Sequence, residues 1–271
     1  MLTINSIKEI KQINFKNQNI IIMSKLKNKV AIVTGASKGI GAGIAKAYGT
    51  EGASVVVNYS SDKEGADRVV KEIIANGGKA LAIQGNVALS ADVKRLFAET
   101  KTAYGQVDVL VNNAGVFKFE AVEAITEEEF HRQFNTNVLG TILATQQAVQ
   151  DFGDNGGSII NISSVVSSNP PAYSVVYSAT KGAVDTIAVA LSKELGAKKI
   201  RVNTIAPGGV ETEGTHTAGI IGGDFEKLMV AGTPLGRIGQ PDDIAKVAVF
   251  LASDDAGWVN GEKINVSGGL R

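Results

Sequence analysis

The stretch Val30-Ala-Ile-Val-Thr-Gly-Ala-Ser-Lys-Gly-Ile-Gly41 joins an apolar strand to the start of a helix. Its glycines permit a tight turn and let the backbone approach a bound group closely. The N-terminus of the following helix offers unpaired N–H groups and a partial positive charge, both of which suit phosphate. The spacing is G-x-x-x-G-x-G, not the more common G-x-G-x-x-G, and an ordinary strand–helix turn can look the same. In its strand–loop–helix context we interpret the stretch as a dinucleotide-binding loop.

Beyond this loop, short apolar runs alternate with helix-length segments. Several runs are continuous in Val, Ile and Ala, which is typical of parallel strands covered on both faces. The predicted strands are 30–34, 54–58, 80–84, 109–112, 158–162, 201–206 and 263–266. The predicted helices are 40–51, 62–76, 91–104, 127–150, 173–195 and 242–252. The alternation predicts one α/β domain with a doubly wound, seven-stranded parallel sheet.

Composition excludes several classes of function. The chain has 271 residues, 44% of them hydrophobic, and its 27 basic and 27 acidic residues cancel. A neutral chain has no global field to attract nucleic acid or an anionic membrane, so we expect neither as a partner. The absence of cysteine excludes disulfides, thiolate catalysis and Cys-ligated metals. The two histidines, His131 and His216, are far apart, so we expect both on the surface and no metal site.

Residues 1–23 differ from the rest of the chain. They are rich in Asn, Ile and Lys and lack both a signal-length apolar run and a small-residue cleavage site. The apolar run at 20–22 is too short to span a membrane. We therefore expect residues 1–23 to be a disordered or non-native extension, and residues 24–271 to form the domain, including a substrate loop at 210–232.

Further motifs follow the glycine loop in a fixed order: Asn112-Asn-Ala-Gly115, Asn137-Val-Leu-Gly140, Ser164, Tyr177-Ser-Ala-Thr-Lys181 and Pro207-Gly208. In residues, order and spacing, the chain from Lys27 to Leu270 resembles the short-chain dehydrogenase/reductase family. The resemblance implies a Rossmann fold and an oxidoreductase that moves a hydride between a nicotinamide dinucleotide and a small carbonyl or alcohol.

The resemblance also implies four catalytic residues. Tyr177 would protonate the carbonyl oxygen, and Lys181, four residues later on the same helix face, would lower the pKa of Tyr177 and bind the ribose. This matters because a free tyrosine titrates near pH 10, roughly three units above neutrality. Ser164 would hold the substrate oxygen where negative charge develops. Asn137 would help to position Lys181 through a water relay.

The implied cofactor contacts come from several loops. They are Gly35, Ser37, Lys38, Gly39, Ile40, Gly41, Asn58, Tyr59, Ser60, Ser61, Asn86, Val87, Asn113, Ala114, Gly115, Pro207, Gly208, Val210 and Thr212. Asn86 stands where the family often has Asp, so its contact with the adenine loses a charge.

The end of the second strand bears on the choice of cofactor. A preference for NAD usually goes with an acidic residue there, and none is present until Asp62. Lys38 could pair with a 2′-phosphate, and Ser37, Ser60 and Ser61 could donate hydrogen bonds to it. We therefore expect NADP(H). In the opposing interpretation Lys38 is solvated and Asp62 turns in to bind the ribose.

The substrate is less constrained. The chain resembles 3-oxoacyl-carrier-protein reductases, glucose 1-dehydrogenases and carbonyl reductases about equally. Residues 150–157 contain two Asp and no basic residue, and Lys198 and Lys199 follow the Tyr177 helix, so an entrance patch for an acidic carrier is at best half present. We favour reduction of a free ketone or aldehyde. A non-catalytic dinucleotide sensor is the remote alternative. Such relatives typically lack part of the catalytic set, whereas this chain has all four residues.

Three further expectations concern the surroundings of the site. Residues 165–173 and 210–232 should line the substrate pocket, and the glycines of the second segment suit a mobile lid. By resemblance, the chain should form a homotetramer through helices 127–150 and 173–195 and the C-terminal strand. We expect a cytoplasmic enzyme whose partner is a small-molecule substrate.

Overall fold

The structure is a computed structural model that describes residues 24–217, 219 and 221–270. The expected extension at 1–23 lies outside the described residues.

A seven-stranded sheet forms the centre of the molecule, with strand order β3-β2-β1-β4-β5-β6-β7 and every neighbouring pair parallel. The strands are β1 (Val30–Val33), β2 (Ser54–Tyr59), β3 (Lys79–Gln84), β4 (Val109–Asn112), β5 (Gly157–Ile162), β6 (Ile200–Pro207) and β7 (Lys263–Val266). The predicted doubly wound parallel sheet is confirmed, and each predicted strand is present with small shifts at its ends.

Helices connect the strands. They are α1 (Gly39–Thr50), α2 (Lys63–Ala75), α3 (Ser90–Tyr104), α4 (Glu127–Phe134), α5 (Gly140–Asp151), α6 (Val175–Leu195), α7 (Glu213–Thr217), α8 (Asp224–Gly232) and α9 (Pro241–Ala252). The helix predicted at 127–150 is interrupted by a π-helical turn, Asn135–Leu139. Among the described residues, no helix is long and apolar enough to cross a membrane.

Successive side chains of β1 point to opposite faces of the sheet and enter two different cores. Ala31 and Val33 pack with apolar residues of α1, α2 and α9, whereas Val30 and Ile32 pack with those of α3, α5 and α6. This explains the unbroken apolar runs, because both faces of each central strand are covered. The strand order reverses between β1 and β4, and ligands bind parallel α/β sheets at the carboxyl ends beside such a switch point.

Candidate active site

The glycine loop between β1 and α1 takes a conformation that favours glycine. Gly35 and Gly39 have φ angles of 60° and 58°, in the left-handed region where a side chain is strained. A Cβ on Gly41 would collide with the side-chain amide of Asn113. The loop therefore lies close to the segment that follows β4, which a larger residue at position 41 would push away.

Hydrogen bonds hold these two loops together. Thr34 Oγ1 accepts from the backbone N–H groups of Asn113 and Ala114, each at 3.0 Å. In return, Asn113 Nδ2 donates to the carbonyl oxygens of Thr34 and Gly35, both at 2.9 Å. The motifs at 34–41 and 112–115 thus form one rigid wall at the switch point.

A groove of about 510 Å³ runs along this wall. Together with an adjoining cavity it is lined by every residue that the resemblance assigns to the cofactor. Asp62, which the sequence offered as the alternative ribose ligand, also lines the groove, and so do Gly85, Val116, Thr136 and Gly214, which the motifs did not single out. Those four lie within two residues of motif residues, and that adjacency is the signal the sequence carried.

The end of β2 contains one side chain with a structural role. Asn58 is 1% exposed, accepts from Gly35 N at 3.3 Å, and donates to Ile83 O at 3.3 Å and Gly85 O at 3.0 Å. It therefore connects the glycine loop to the ends of two strands through its own amide.

The polar residues around Asn58 differ in whether they already make hydrogen bonds or ion pairs within the protein. Asp62 Oδ1 caps α2 by accepting from Gly65 N at 2.9 Å, so this carboxylate is already used. Lys38, Ser60 and Ser61 are exposed at the mouth of the groove. Within the part of the chain that the structure describes, Lys38 makes no ion pair. A cation and two hydroxyls thus lie at the mouth of the groove.

The next loop holds its asparagine by local bonds. Asn86 Oδ1 accepts from Ala88 N at 3.0 Å, and Asn86 N donates to Asp92 Oδ2 at 2.9 Å. With its oxygen engaged, Asn86 has its amide N–H groups left to meet an adenine acceptor.

The glycine loop presents an amide to an anionic group. Glu213 Oε2, at the start of α7, accepts from Gly39 N at 2.9 Å. Gly39 is the first residue of α1, where N–H groups have no partner within the helix. The Glu213 carboxylate oxygen therefore occupies a position on the Gly39 amide that a pyrophosphate oxygen could also take. The residues of the glycine loop fit a dinucleotide.

The expected catalytic side chains lie beside the groove. Ser164 follows β5, and Tyr177 and Lys181 lie one turn apart on α6. Lys181 Nζ is 5.6 Å from the centre of the Tyr177 ring and donates to Ile162 O at 2.8 Å. Ser164, Tyr177 and Lys181 all line one cavity, so the structure brings them together.

The pKa of Tyr177 moves against the expected direction. Burial raises it to about 12, and a hydrogen bond with Ser164 opposes part of this rise. Burial also lowers the pKa of Lys181 to about 8, while the charge of Asp185 acts to raise it. The expectation that Lys181 lowers the pKa of Tyr177 overlooked the loss of water around both groups, which disfavours phenolate and ammonium alike.

The π-helical turn places Asn137 behind these groups. Its Oδ1 accepts from Val116 N at 2.8 Å, and its Nδ2 donates to Val116 O at 2.8 Å and to Thr180 Oγ1 at 3.0 Å. A Cβ on Gly115 would lie 3.4 Å from Asn137 Oδ1 and 3.6 Å from Lys181 Nζ. Asn137 thus joins the loop after β4 to the turn of α6 that precedes Lys181, although it does not line the cavity itself.

The cavity over Tyr177 has a volume of about 390 Å³ and a mainly apolar lining. The expected segments contribute Val165, Val166, Asn169 and Pro171 on one side and Val210, Thr212, Thr215 and Met229 on the other. Phe117 and Phe119 also line it, and sequence reasoning missed them. They directly follow the motif at 112–115, which was the available signal.

Lys198 and Lys199 lie far from the cavity entrance. Residues 150–157, Lys198 and Lys199 lie at the amino ends of β5 and β6, and Lys199 Nζ donates to Asp154 O at 3.2 Å. Ser164 follows the opposite end of β5, about 20 Å away at the rise of an extended strand. Lys198 and Lys199 therefore do not supply the half of the entrance patch that the sequence left open.

The remaining ionisable candidates lie apart from the cavity. His131 is exposed, and His216 pairs with Glu211 at 3.0 Å on the surface. The described residues contain no group of three or more His, Asp or Glu side chains that could hold a metal ion.

Comparison with known proteins places this arrangement in context. A family model described as enoyl-(acyl carrier protein) reductase matches residues 35–271. An uncharacterized oxidoreductase of Methylorubrum extorquens is 59% identical over 249 residues, which are 92% of this chain and all of that protein. Versicolorin reductase 1 of Aspergillus parasiticus is 39% identical, over 90% of this chain and 97% of its own. The crystal structure of the angucycline C-6 ketoreductase LanV with bound NADP has a TM-score of 0.85 at 35% identity, covering 91% of this chain and 96% of that one.

Proposed function

This chain belongs to the short-chain dehydrogenase/reductase family of oxidoreductases, and on that premise we propose that it is an NADP(H)-dependent carbonyl reductase that converts a free ketone or aldehyde to an alcohol. The observation that carries the proposal is the convergence of Ser164, Tyr177 and Lys181 on one cavity next to the dinucleotide groove.

The proposed reaction needs one proton from the protein. A bound NADPH supplies the hydride. Ser164 holds the carbonyl oxygen by its hydroxyl as negative charge develops there. Tyr177 donates its phenolic proton to that oxygen, and its raised pKa keeps it protonated until then. Lys181, held by Ile162 O, stabilises the phenolate that remains.

The preference for NADP(H) rests on the groups around the ribose position. Lys38 is available for a 2′-phosphate, and the cap that Asp62 forms on α2 opposes the interpretation in which Asp62 binds the ribose. The similar ketoreductase LanV was crystallised with bound NADP, which supports the same choice here.

A free carbonyl substrate is favoured over an acyl carrier protein. Lys118 lies between the cavity residues Phe117 and Phe119 and pairs with Glu120 at 2.6 Å, and Arg132, which bonds to Phe117 O, pairs with Glu129 at 2.8 Å. Each of these basic residues is thus accompanied by a carboxylate, which weakens the positive potential that would attract an acidic carrier. Two similar proteins are named as a versicolorin reductase and a ketoreductase, which also supports carbonyl reduction.

We also propose a cytoplasmic homotetramer. Leu139 and Val189, on the two long helical segments expected at the interface, are 40% and 44% exposed. Sedimentation analysis tests the tetramer, and cell fractionation tests the location.

Kinetics of Tyr177→Phe test the proposed function. The variant should lose about 10²- to 10⁴-fold in kcat because the general acid is removed, while its Kd for NADPH stays near that of the wild type. Tyr173→Phe is the matched control, since Tyr173 is 64% exposed and does not line the cavity. A panel of free ketones, glucose and an acetoacetyl thioester separates the alternatives. Wild-type protein that binds NADPH yet reduces no carbonyl compound would support the sensor instead.

A further inference from the structure

Two phenylalanine rings lie beside the ring of Tyr177. The ring centres of Phe117 and Phe119 lie 5.7 and 6.1 Å from that of Tyr177, and 5.9 Å from each other. The three rings are tilted by 53–66° to one another, so none is stacked flat on its neighbour. Phe117 is 36% exposed and Phe119 is 41% exposed. Large apolar side chains left exposed together beside a reactive group mark a binding surface.

The loop that carries these rings is held in place by polar contacts. Arg132 Nη2 donates to Phe117 O at 3.3 Å, and Glu129 orients Arg132 through two hydrogen bonds of 2.8 Å. Further along, Glu120 N donates to Tyr173 O at 2.8 Å. The backbone of this loop is thus held at both ends, and a substrate spends little binding free energy on ordering it.

The other residues that line the cavity favour a neutral substrate. Among the described residues that line the cavity, Lys181 is the one charged side chain, and its ammonium is already bonded to Ile162 O. Val165, Val166 and Met229 supply apolar surface to the rest of the cavity. A polyol would lose hydrogen bonds to water against such a lining, and a carboxylate would lose its hydration without a partner.

From these contacts we propose that Phe117 and Phe119 determine specificity by binding an aromatic ring of the substrate, whose class is an uncharged aryl ketone. The carbonyl would lie at Ser164 and Tyr177 and the aryl group against the two phenylalanines. Aromatic rings attract one another edge to face at centre distances of about 4.5–7 Å, and each such pair changes an equilibrium constant by about 2- to 10-fold beyond simple burial.

The proposal rests on the proposed carbonyl reduction, so its test uses two ketones of the same size. The ratio of kcat/KM for acetophenone to that for cyclohexyl methyl ketone is measured with NADPH. The substrates differ in ring saturation, and the intrinsic difference in their reactivity cancels when variants are compared. Phe117→Leu/Phe119→Leu keeps apolar side chains at both positions and removes the aromatic rings.

We expect the ratio to fall about 10-fold in this double variant, whatever happens to the absolute rates, because two aromatic contacts are lost. Phe130→Leu is the matched control: Phe130 is 40% exposed, stacks on Phe134 with ring centres 4.3 Å apart and does not line the cavity, so its ratio should equal that of the wild type. An unchanged ratio in the double variant overturns the aromatic proposal while leaving carbonyl reduction intact. Wild-type enzyme that reduces neither ketone nor any other carbonyl compound would instead overturn the proposed function.

Discussion

The contact between Glu213 and the glycine loop makes a quantitative prediction about cofactor binding. Glu213 Oε2 accepts from Gly39 N at 2.9 Å, at the N-terminus of α1. In the proposed complex a pyrophosphate oxygen needs this amide, so the carboxylate must leave before the cofactor binds fully. Glu213→Gln should therefore bind NADPH more tightly than the wild type.

The size of this effect follows from the setting of the carboxylate. An anion at an exposed helix N-terminus gains about 0.3–1 kcal/mol, which corresponds to about a 2- to 5-fold decrease in Kd once the competing charge is removed. Glu213 is exposed, so added salt should reduce the difference between variant and wild type.

Titration of NADPH fluorescence in low and high salt measures both quantities. Glu226→Gln is the matched control, because Glu226 Oε2 accepts from Gly222 N at 2.7 Å in the same segment and does not line the groove. Weaker binding by Glu213→Gln, or an equal gain in Glu226→Gln, would refute the displacement argument.

Three further predictions concern charge. Lys38→Ala should raise the KM for NADPH by about 3- to 10-fold and leave the KM for NADH unchanged, because only NADPH carries the 2′-phosphate. An equal rise in both KM values would contradict the pairing of Lys38 with that phosphate. For reduction, kcat should be level below about pH 7, reach half its maximum near pH 8 and fall further above it, as Lys181 loses its proton while Tyr177, with a pKa of about 12, stays protonated. A pH profile at saturating NADPH checks this, and a half-maximal rate below about pH 7 would count against it. Lys263→Met should lower the free energy of unfolding in urea by about 1–3 kcal/mol, because it leaves the mostly buried Asp185 without its 2.8 Å ion pair. Adding Asp185→Leu should restore at least half of the lost free energy, and no restoration would contradict the pairing.

The sheet was predictable because its determinants are local. Continuous apolar runs report coverage on both faces, and the β1–α1 loop needs glycine where the backbone turns left-handed at positions 35 and 39. The interruption of the helix at 135–139 was not visible, because weak helix formers such as Asn, Thr and Val also occur inside regular α-helices and do not by themselves predict a π turn. The π turn is supported by tertiary contacts of Asn137 with Val116 and Thr180.

The catalytic spacing was also readable, whereas its electrostatics were not. A separation of four residues places Tyr177 and Lys181 on one helix face whatever surrounds them. The pKa of each depends instead on how completely neighbouring loops exclude water, and those loops are distant in sequence. Burial raises the pKa of Tyr177 and lowers that of Lys181, and a pattern of residue types carries no measure of burial.

Asn58 shows how a residue's chemistry can be read correctly and its role still changed by the fold. From sequence, Asn58 is a cofactor contact at the end of the second strand, where the absence of an acidic residue avoids repelling a 2′-phosphate. In the structure its amide is used by Gly35 N, Ile83 O and Gly85 O, so it holds the glycine loop against β3. The uncharged Asn58 thus avoids repelling the 2′-phosphate but does not attract it. Attraction must come from exposed groups such as Lys38. Substitution of Asn58 should disturb the binding of both cofactors together, so the choice between them has to be tested at Lys38.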